Sequence, residues 1–271
     1  RVNSVFLLCW YGVLRELRSF PSLRSYDPYS SVINACAKGD EWQRALNLLE
    51  ETRSRGLVPN QITYSSVINA CAKGNEWQRA LELFDKIRSF NLTPDLVTYD
   101  AALNACAIGR QPERALSLFE SLQQEGLTAE LSHWCHLLDA LGPNHAQSWS
   151  LLLRMVEQPF FAGAESFEAG MPTLDLHGLS AGVAEMVVRW WLSERLPMKL
   201  KARKMSQPTH VVLVTGHGES RVHKEAGVVK QRVLELANEL GTVVDQSNRG
   251  RVVLAWPLTV GCSTLVVAGS E

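Results

Sequence analysis

The chain has 271 residues, of which 46% are hydrophobic and 20% are charged. This length and composition predict two domains with buried cores, and no apolar run approaches the roughly 20 residues that cross a membrane, so we expect no membrane protein. The formal net charge is −1, but residues 1–170 hold more acidic than basic side chains, whereas residues 171–271 hold more basic ones.

A period of 35 residues organises the first half of the chain. The segment YSSVINACAKG occurs at 29–39 and again, unchanged, at 64–74, and the aromatic residue that opens each unit recurs at Tyr29, Tyr64, Tyr99 and Trp134. One globular core needs each segment to fill a different space, so this reuse indicates units that stack on copies of themselves. We therefore predict four repeats over residues 26–165, of which the fourth is degenerate.

Each unit is predicted to fold as helix, turn, helix, turn. The apolar residues of 29–37 share one helical face, and those of 42–49 share another. Gly39 lies between the two helices as a predicted C-cap, and a short linker follows the second helix. Residues 1–25 align with the end of such a unit, so we expect an incomplete repeat there. Because residue 1 is Arg, we infer a fragment or a processed chain with upstream repeats missing.

The cysteines indicate a reducing compartment. Three of the six occupy the same position of successive repeats, namely Cys36, Cys71 and Cys106. Stacked helices hold such positions about 9 Å apart, beyond the reach of a disulfide, so we predict reduced core thiols. No Cys or His spacing matches a structural zinc site, and we predict no zinc site and no metal-ligand residues.

The repeats resemble the pentatricopeptide repeat family. The resemblance rests on NQITYS at 60–65, on DLVTYD at 95–100 and on the Arg-Ala-Leu-x-Leu core of the second helices. Tetratricopeptide repeats, by contrast, have a period of about 34 and a W-x2-L-G-x2-Y pattern that is absent. The resemblance implies a single-stranded RNA-binding protein in which each repeat reads one base through a few side chains.

The resemblance also implies which residues read the bases. The pairs are Ser30 with Asn60, Ser65 with Asp95, Asp100 with Glu130, and Cys135 with Glu165. The first pair is expected to read adenine and the second guanine, because a short hydroxyl leaves room for a purine while the amide or carboxylate pairs with its edge. The third and fourth pairs match no usual base. Ile62 and Val97 occupy the apolar position that packs against the base.

Two alternatives concern these repeats. The serines could serve only as helix N-caps, since serine is favoured there in any case. Trp42 and Trp77 could stack on bases, but their place in the first turn of a second helix favours packing between repeats.

Strands and helices alternate in the rest of the chain. We predict a linker at 166–171 and then an alternating stretch at 174–178, a helix at 184–196, a strand at 210–214, a helix at 227–240 and a strand at 250–256. Residues 172–258 should form a small domain, with a tail at 259–271. The predicted fold class is therefore an α-helical repeat solenoid of helix-turn-helix pairs followed by a small α/β sandwich domain.

Residues 171–258 resemble the small MutS-related (Smr) domain. The resemblance rests on LDLHGL at 174–179, TGHG at 215–218 and NRGRVV at 248–253. Arrays that end in this domain form a class of organellar proteins, so a plastid is the first expected location and a mitochondrion the next. The cleft residues that the motifs suggest are Gly178, Thr215, Gly216, His217, Gly218 and Arg249.

Asp175 and His177 are the candidate catalytic residues. Alternate residues of a strand share a face, which would set the carboxylate beside the imidazole, and such a pair can act as a general acid or base. The alternative is a hydrogen-bonded pair that only ties the strand to the glycine loop. A basic cluster could bind the RNA backbone or form a solvated loop: Lys199, Lys201, Arg203 and Lys204.

These features predict a sequence-selective RNA-binding protein of an organelle that acts in transcript processing. Three roles stay open: an endoribonuclease, a non-catalytic binder that stabilises transcripts or promotes their translation, and an adaptor that binds protein. Mg²⁺ is the one cofactor left open, although no acidic cluster suited to two metal ions is apparent.

Overall fold

The computed structural model describes residues 28–39, 41–90, 92–168, 170–202, 208, 210–215, 225–240, 244–245 and 250–255. The chain divides into two compact units between Ala129 and Glu130. Within these ranges, no helix has the length and apolar character needed to cross a membrane. The predictions for residues 1–25 and 259–271 lie outside the described residues.

The first unit is a stack of helix pairs. Its helices are α1 (Pro28–Lys38), α2 (Trp42–Ser54), α3 (Gln61–Lys73), α4 (Trp77–Ile87), α5 (Leu96–Gly109) and α6 (Pro112–Gln124), with a 3₁₀ turn at Arg88–Phe90. The helices of a pair pack together, and successive first helices pack on one another, α1 on α3 and α3 on α5. This unit is a helical repeat solenoid.

Repeated positions build the core of this unit. Burial is complete, at 0% exposure, for the same apolar positions of α1, α3 and α5, which are Ile33, Ile68 and Leu103 together with Cys36, Cys71 and Cys106. The three cysteines are free, as predicted. Burial raises the pKa of the Cys71 and Cys106 thiols to about 12, so both are protonated near neutral pH.

The tryptophan at the start of α2 and of α4 packs on a glycine of the next repeat. A Cβ atom at Gly74 would lie 2.2 Å from Trp42 Cδ1, and one at Gly109 would lie 2.5 Å from Trp77 Cδ2. Both distances are too short for a real contact, so only glycine leaves room for the indole. The two tryptophans therefore pack between repeats, as predicted.

The repeat glycine follows the first helix as predicted, and Gly74 is the C-cap of α3, but its φ is not the reason for a glycine there. Gly74 has φ −75°, which any residue can adopt, and Gly39 is likewise outside the left-handed region. The left-handed residues are the next ones, Asn75 with φ 62° and Arg110 with φ 48°. A Gly before a polar residue looks the same in sequence whether it is needed for its φ or for its small size.

The second unit combines helices with a five-stranded sheet. It begins with α7 (Leu131–Leu141), α8 (Ser148–Val156) and a 3₁₀ turn at Pro159–Phe161. The strands are β1 (Glu165–Glu168), β2 (Met171–Asp175), β3 (His210–Val214), β4 (Val244–Asp245) and β5 (Arg251–Ala255), arranged β1-β2-β3-β5-β4. Strands β2 and β3 are parallel, and the other pairs are antiparallel.

Helices between the strands complete this unit. They are α9 (Ala181–Trp190), a π-helical turn (Trp191–Arg195), α10 (Leu196–Ala202) and α11 (Glu225–Glu239). Helix α9 packs against α11, and α11 packs against β5. Arg189 of α9 donates to Glu239 at 2.9 Å, and Arg232 of α11 donates to Glu185 at 2.8 Å. Apolar packing, together with one exposed and one partly buried ion pair, thus joins the two helices.

The linker prediction for residues 166–171 was wrong. Residues 166–168 lie in β1, Gly170 has φ 79°, and Met171 begins β2. Glu165 pairs with Leu174 and Glu168 with Met171. The strand was missed because its residues are only partly buried and carry little apolar periodicity; pairing with β2 defines it.

We expect Gly74→Ala to lower the free energy of unfolding by about 1–3 kcal/mol, because the added methyl group displaces the Trp42 indole. Gly39→Ala is the matched control, since the atoms nearest to its Cβ would lie 3.4–3.9 Å away; its effect should be small. Urea unfolding followed by tryptophan fluorescence measures both variants. Equal destabilisation by the two would contradict the packing argument.

Candidate nucleic-acid interface

The predicted reading residues Asn60 and Asp95 are the N-caps of α3 and α5. Asn60 Oδ1 accepts hydrogen bonds from the Thr63 backbone N–H at 2.9 Å and from the Thr63 hydroxyl at 3.0 Å. Asp95 Oδ1 accepts from the Thr98 N–H at 2.9 Å and from its hydroxyl at 2.7 Å. Both cap residues are exposed, so adjacent repeats present the same anchored side-chain geometry to solvent.

Asn60 and Asp95 differ in the terminal side-chain atom that takes no part in the capping hydrogen bonds. In Asn60 this atom is the amide nitrogen Nδ2, a hydrogen-bond donor, whereas in Asp95 it is the carboxylate oxygen Oδ2, an acceptor. Their hydrogen-bonding polarity is therefore opposite, while the geometry of the two caps is alike.

Ser30 and Ser65 lie inside the first helices, so the N-cap alternative for the serines was wrong. Helix α1 begins at Pro28 and helix α3 at Gln61. Ser65 is 6% exposed, and its hydroxyl donates to the Ile62 carbonyl at 3.1 Å. The side chain is small and bonded to its own helix, so it leaves space at the helix surface. The predicted reading of a purine requires such space.

Ile62 and Val97 are exposed aliphatic side chains at equivalent positions. Ile62 is 62% exposed and Val97 is 64% exposed, and each lies two residues after a cap. Adjacent packed helices are about 8–10 Å apart, and an apolar contact spans about 3.5–4 Å. The starts of α3 and α5 could therefore hold one flat ring between these two side chains.

The third predicted pair is divided between the two units. Asp100 lies partly buried in α5, and Glu130 is the N-cap residue of α7. Glu130 donates its backbone N–H to His133 Nδ1 at 3.2 Å. His133 stands where Thr63 and Thr98 stand in the earlier repeats, a role that the sequence prediction missed although the 35-residue alignment contained it.

Asp175 and His177 are brought together by a turn. Strand β2 ends at Asp175, and Gly178 has φ 78°. Asp175 Oδ1 accepts from the His177 backbone N–H at 2.9 Å and also contacts the ring Nδ1. The predicted contact is present, but its predicted cause was wrong, because an aspartate before a left-handed glycine favours a turn over a longer strand. Both side chains are about half exposed, and the contact involves Nδ1 of the ring rather than Nε2.

The described residues of the three predicted motifs, which are 174–179, Thr215 and 250–253, lie together where β2 and β3 end. The parallel strands β2 and β3 both end there: Leu176 donates its N–H to the Val214 carbonyl at 2.9 Å. Thr215 is 2% exposed and donates its N–H to the Gly250 carbonyl at 2.8 Å. The carboxyl ends of parallel strands commonly carry ligand sites. The other predicted cleft residues, Gly216, His217, Gly218 and Arg249, lie outside the described residues.

The loop location predicted for the basic cluster was wrong for Lys199 and Lys201, which lie in α10. Lys199 of α10 forms an ion pair with Glu165 of β1, and Arg195 contacts the same carboxylate at 3.3 Å. The prediction treated this lysine as a surface charge because strand β1 was not foreseen. Lys201 is exposed, while Arg203 and Lys204 lie outside the described residues.

Across the described ranges, no group of three His, Cys, Asp or Glu residues is placed to hold a metal ion.

Family models match most of the helical region. A PPR repeat family model matches residues 28–73, a PPR repeat model matches 62–92, and a pentatricopeptide repeat domain model matches 82–144. Residues 28–144 are thus covered by models of pentatricopeptide repeats. The matched span contains both caps and both exposed aliphatic side chains, so the candidate interface lies within the matched repeats.

Solved structures of other repeat proteins are similar at low identity. The pentatricopeptide repeat protein PPR10 from maize is 21% identical, with 69% of this chain and 26% of that chain covered and a TM-score of 0.47. PPR10 in complex with an 18-nt psaJ RNA element is 18% identical, with 87% of this chain and 31% of that chain covered and a TM-score of 0.49. Nuclear proteinaceous RNase P 2 from A. thaliana is 16% identical, with 56% of this chain and 35% of that chain covered and a TM-score of 0.48. The chain thus spans about a third or less of these proteins.

The identification of the repeats rests on the family models and on the observed helix pairs, and not on these low identities and TM-scores. A comparison with curated protein sequences finds no match.

Without RNA, we expect Asp95→Ala to lower the free energy of unfolding by about 0.5–2 kcal/mol, because the cap of α5 is lost. Asp95→Asn should change it little, since an amide oxygen can accept the same two hydrogen bonds from Thr98. Chemical unfolding of the three proteins provides the measurement. If the Asn variant were as unstable as the Ala variant, the cap would not explain this position.

Proposed function

We propose that the chain is a sequence-selective single-stranded RNA-binding protein. One observation carries this proposal: the starts of α3 and α5 repeat an anchored polar side chain followed by an exposed aliphatic one, Asn60 with Ile62 and Asp95 with Val97. A nucleobase has an apolar face and a polar edge, and single-stranded RNA offers both. The paired features are complementary to such a base.

The chemistry of the caps suggests the bases. Guanine has hydrogen-bond donors at N1 and N2, which suit the acceptor Oδ2 of Asp95. Adenine has an acceptor at N1, which suits the donor Nδ2 of Asn60. The first and second repeats would therefore select adenine and guanine respectively.

An adaptor that binds only protein is the competing class for the array. RNA binding releases counterions, so its affinity should fall as salt is raised. Absence of binding to any single-stranded RNA at low salt would favour the adaptor.

Asp95→Asn should shift the second repeat from guanine toward adenine, because the atom not used by the cap changes from acceptor to donor while the cap stays. A change in discrimination of about 1–3 kcal/mol is expected for a well-placed base contact. Fluorescence anisotropy with short RNAs that differ at this one base measures it. Asn60→Asp is the reciprocal control and should move the first repeat from adenine toward guanine. Equal affinities of wild type and both variants for all these RNAs would reject the assignment.

We also propose that residues 171–258 form an Smr domain. The proximity of the described parts of these motifs, namely 174–179 after β2, Thr215 after β3 and 250–253 at the start of β5, supports this proposal. With the resemblance of the whole chain, it supports action on organellar transcripts, in a plastid first and a mitochondrion next. Fluorescent fusions of the full-length protein would test the location.

Two roles for this domain compete. The contact of Asp175 with the His177 ring supports an endoribonuclease, in which Nε2 takes the proton of the RNA 2′-hydroxyl while O2′ attacks phosphorus and the 5′-oxygen leaves with a proton from an acid. The bond from the His177 N–H to the same carboxylate supports a structural turn in a non-catalytic binder. The contacts with Asp175 fit both roles, so cleavage must be measured.

If the domain cleaves RNA, His177→Ala should slow cleavage by about 10²–10⁴-fold with RNA affinity little changed, because one acid–base catalyst is lost. Asp175→Asn should have a smaller effect, since an amide can still accept from the His177 N–H. The products should carry 2′,3′-cyclic phosphates, and DNA of the same sequence should stay intact. These are measured on end-labelled RNA with Mg²⁺ or EDTA.

Two outcomes would contradict this mechanism. Cleavage that requires Mg²⁺ and leaves 5′-phosphates would keep the nuclease but reject attack by the 2′-hydroxyl. Tight binding without cleavage by wild type would support the non-catalytic binder.

A further inference from the structure

One face of α7 holds the fourth repeat's first predicted reading residue. Leu131, Cys135 and Asp139 recur every four residues and share this face. Their equivalents 35 residues earlier, in α5, are Leu96, Asp100 and Asn104. Cys135 therefore stands where Asp100 and Ser65 stand in the earlier repeats.

This face of α7 is occupied by the segment that follows β2. Cys135 Sγ lies 3.9 Å from the Gly178 carbonyl oxygen, and the Ser180 hydroxyl donates to Asp139 Oδ1 at 2.8 Å. A Cβ atom at Gly178 would lie 3.0 Å from Leu131 Cδ2. The segment thus contacts all three residues of the face, and a glycine permits the close approach.

The contact also includes the start of α9. Ser180 is the N-cap of α9, and its hydroxyl oxygen accepts from the Val183 N–H at 3.3 Å while it donates to Asp139. A Cβ atom at Gly182 would lie 3.0 Å from Asp139 Oδ1. Asp139 therefore holds both the turn after β2 and the first turn of α9.

The second predicted reading residue of this repeat belongs to the sheet. Glu165 lies in β1, its side chain is 11% exposed, and its carboxylate pairs with Lys199 and Arg195. It is thus neutralised within the domain. Both reading positions of the fourth repeat are engaged by the domain that follows.

We propose that the fourth repeat is a docking surface for the C-terminal domain and does not read a nucleobase. The Gly178–Gly182 segment takes the place that a nucleobase takes on the earlier repeats. Only the statement about which repeats read bases rests on the proposed function; the docking itself does not. Because Gly178 directly follows His177, Cys135 and Asp139 act as positioning residues for the exposed imidazole.

Hydrogen–deuterium exchange of the whole chain, without RNA, tests the docking. Asp139→Ala should speed exchange of the amides of residues 176–183 by about fivefold or more, because it removes the bond that holds the segment. Asp139→Asn keeps an acceptor for Ser180 and should behave as wild type. Exchange in α3 serves as an internal measure that the array stays folded. Unchanged exchange at 176–183 in Asp139→Ala would overturn the docking.

A reciprocal exchange of similar side chains tests the loss of base reading. Ser65→Cys in α3 should change the preference among RNAs that differ at the second-repeat base by about fivefold or more. Cys135→Ser in α7 should leave the preference at every position of AG-containing RNAs within about twofold of wild type, because no base reaches that residue. A change with Cys135→Ser as large as that with Ser65→Cys would overturn the proposal. If wild type binds no RNA, the proposed function fails while the exchange experiment still decides the docking.

Discussion

The hydrogen bonds that cap α3 and α5 are the constraint on which the proposed RNA interface depends. One oxygen of Asn60 or Asp95 is committed to the Thr63 or Thr98 N–H and hydroxyl, so the side chain is fixed before any ligand arrives. A preordered contact loses little rotamer entropy on binding. The same requirement limits which residues can serve, because good caps are short and polar.

The packing between repeats sets the distance between these caps. Trp42 fills the space that Gly74 leaves at the end of α3, and Trp77 does the same at Gly109. These contacts and the direct packing of α3 on α5 bring successive helix starts side by side. Ile62 and Val97 can therefore act as a pair, although each alone would be an ordinary exposed aliphatic residue.

Repetition explains why so much of the array could be predicted. Every core position and both caps recur at a constant interval, so each prediction was supported by two or three copies. For this reason Cys36 was correctly assigned to the core, and Trp42 and Trp77 were correctly assigned to contacts between repeats. The packing role of Gly74 was not predicted, because a glycine in a sequence does not show whether its small size or its conformational freedom is required.

The second unit was less predictable because its important contacts are not local. Strand β1 is defined by pairing with β2, and Glu165 acquires its partners from a helix about thirty residues away. The turn at His177 depends on Gly178 and on the Asp175 carboxylate, and the face of α7 is covered by residues about forty positions later. No periodic pattern marks such contacts.

A crystal structure of the chain with a short RNA that contains adenine followed by guanine would test the central claim most directly. The account predicts the guanine edge within hydrogen-bonding distance of the Asp95 carboxylate, the adenine edge at the Asn60 amide, and the guanine ring between Ile62 and Val97. RNA bound elsewhere, with Ile62 and Val97 still facing solvent, would contradict it.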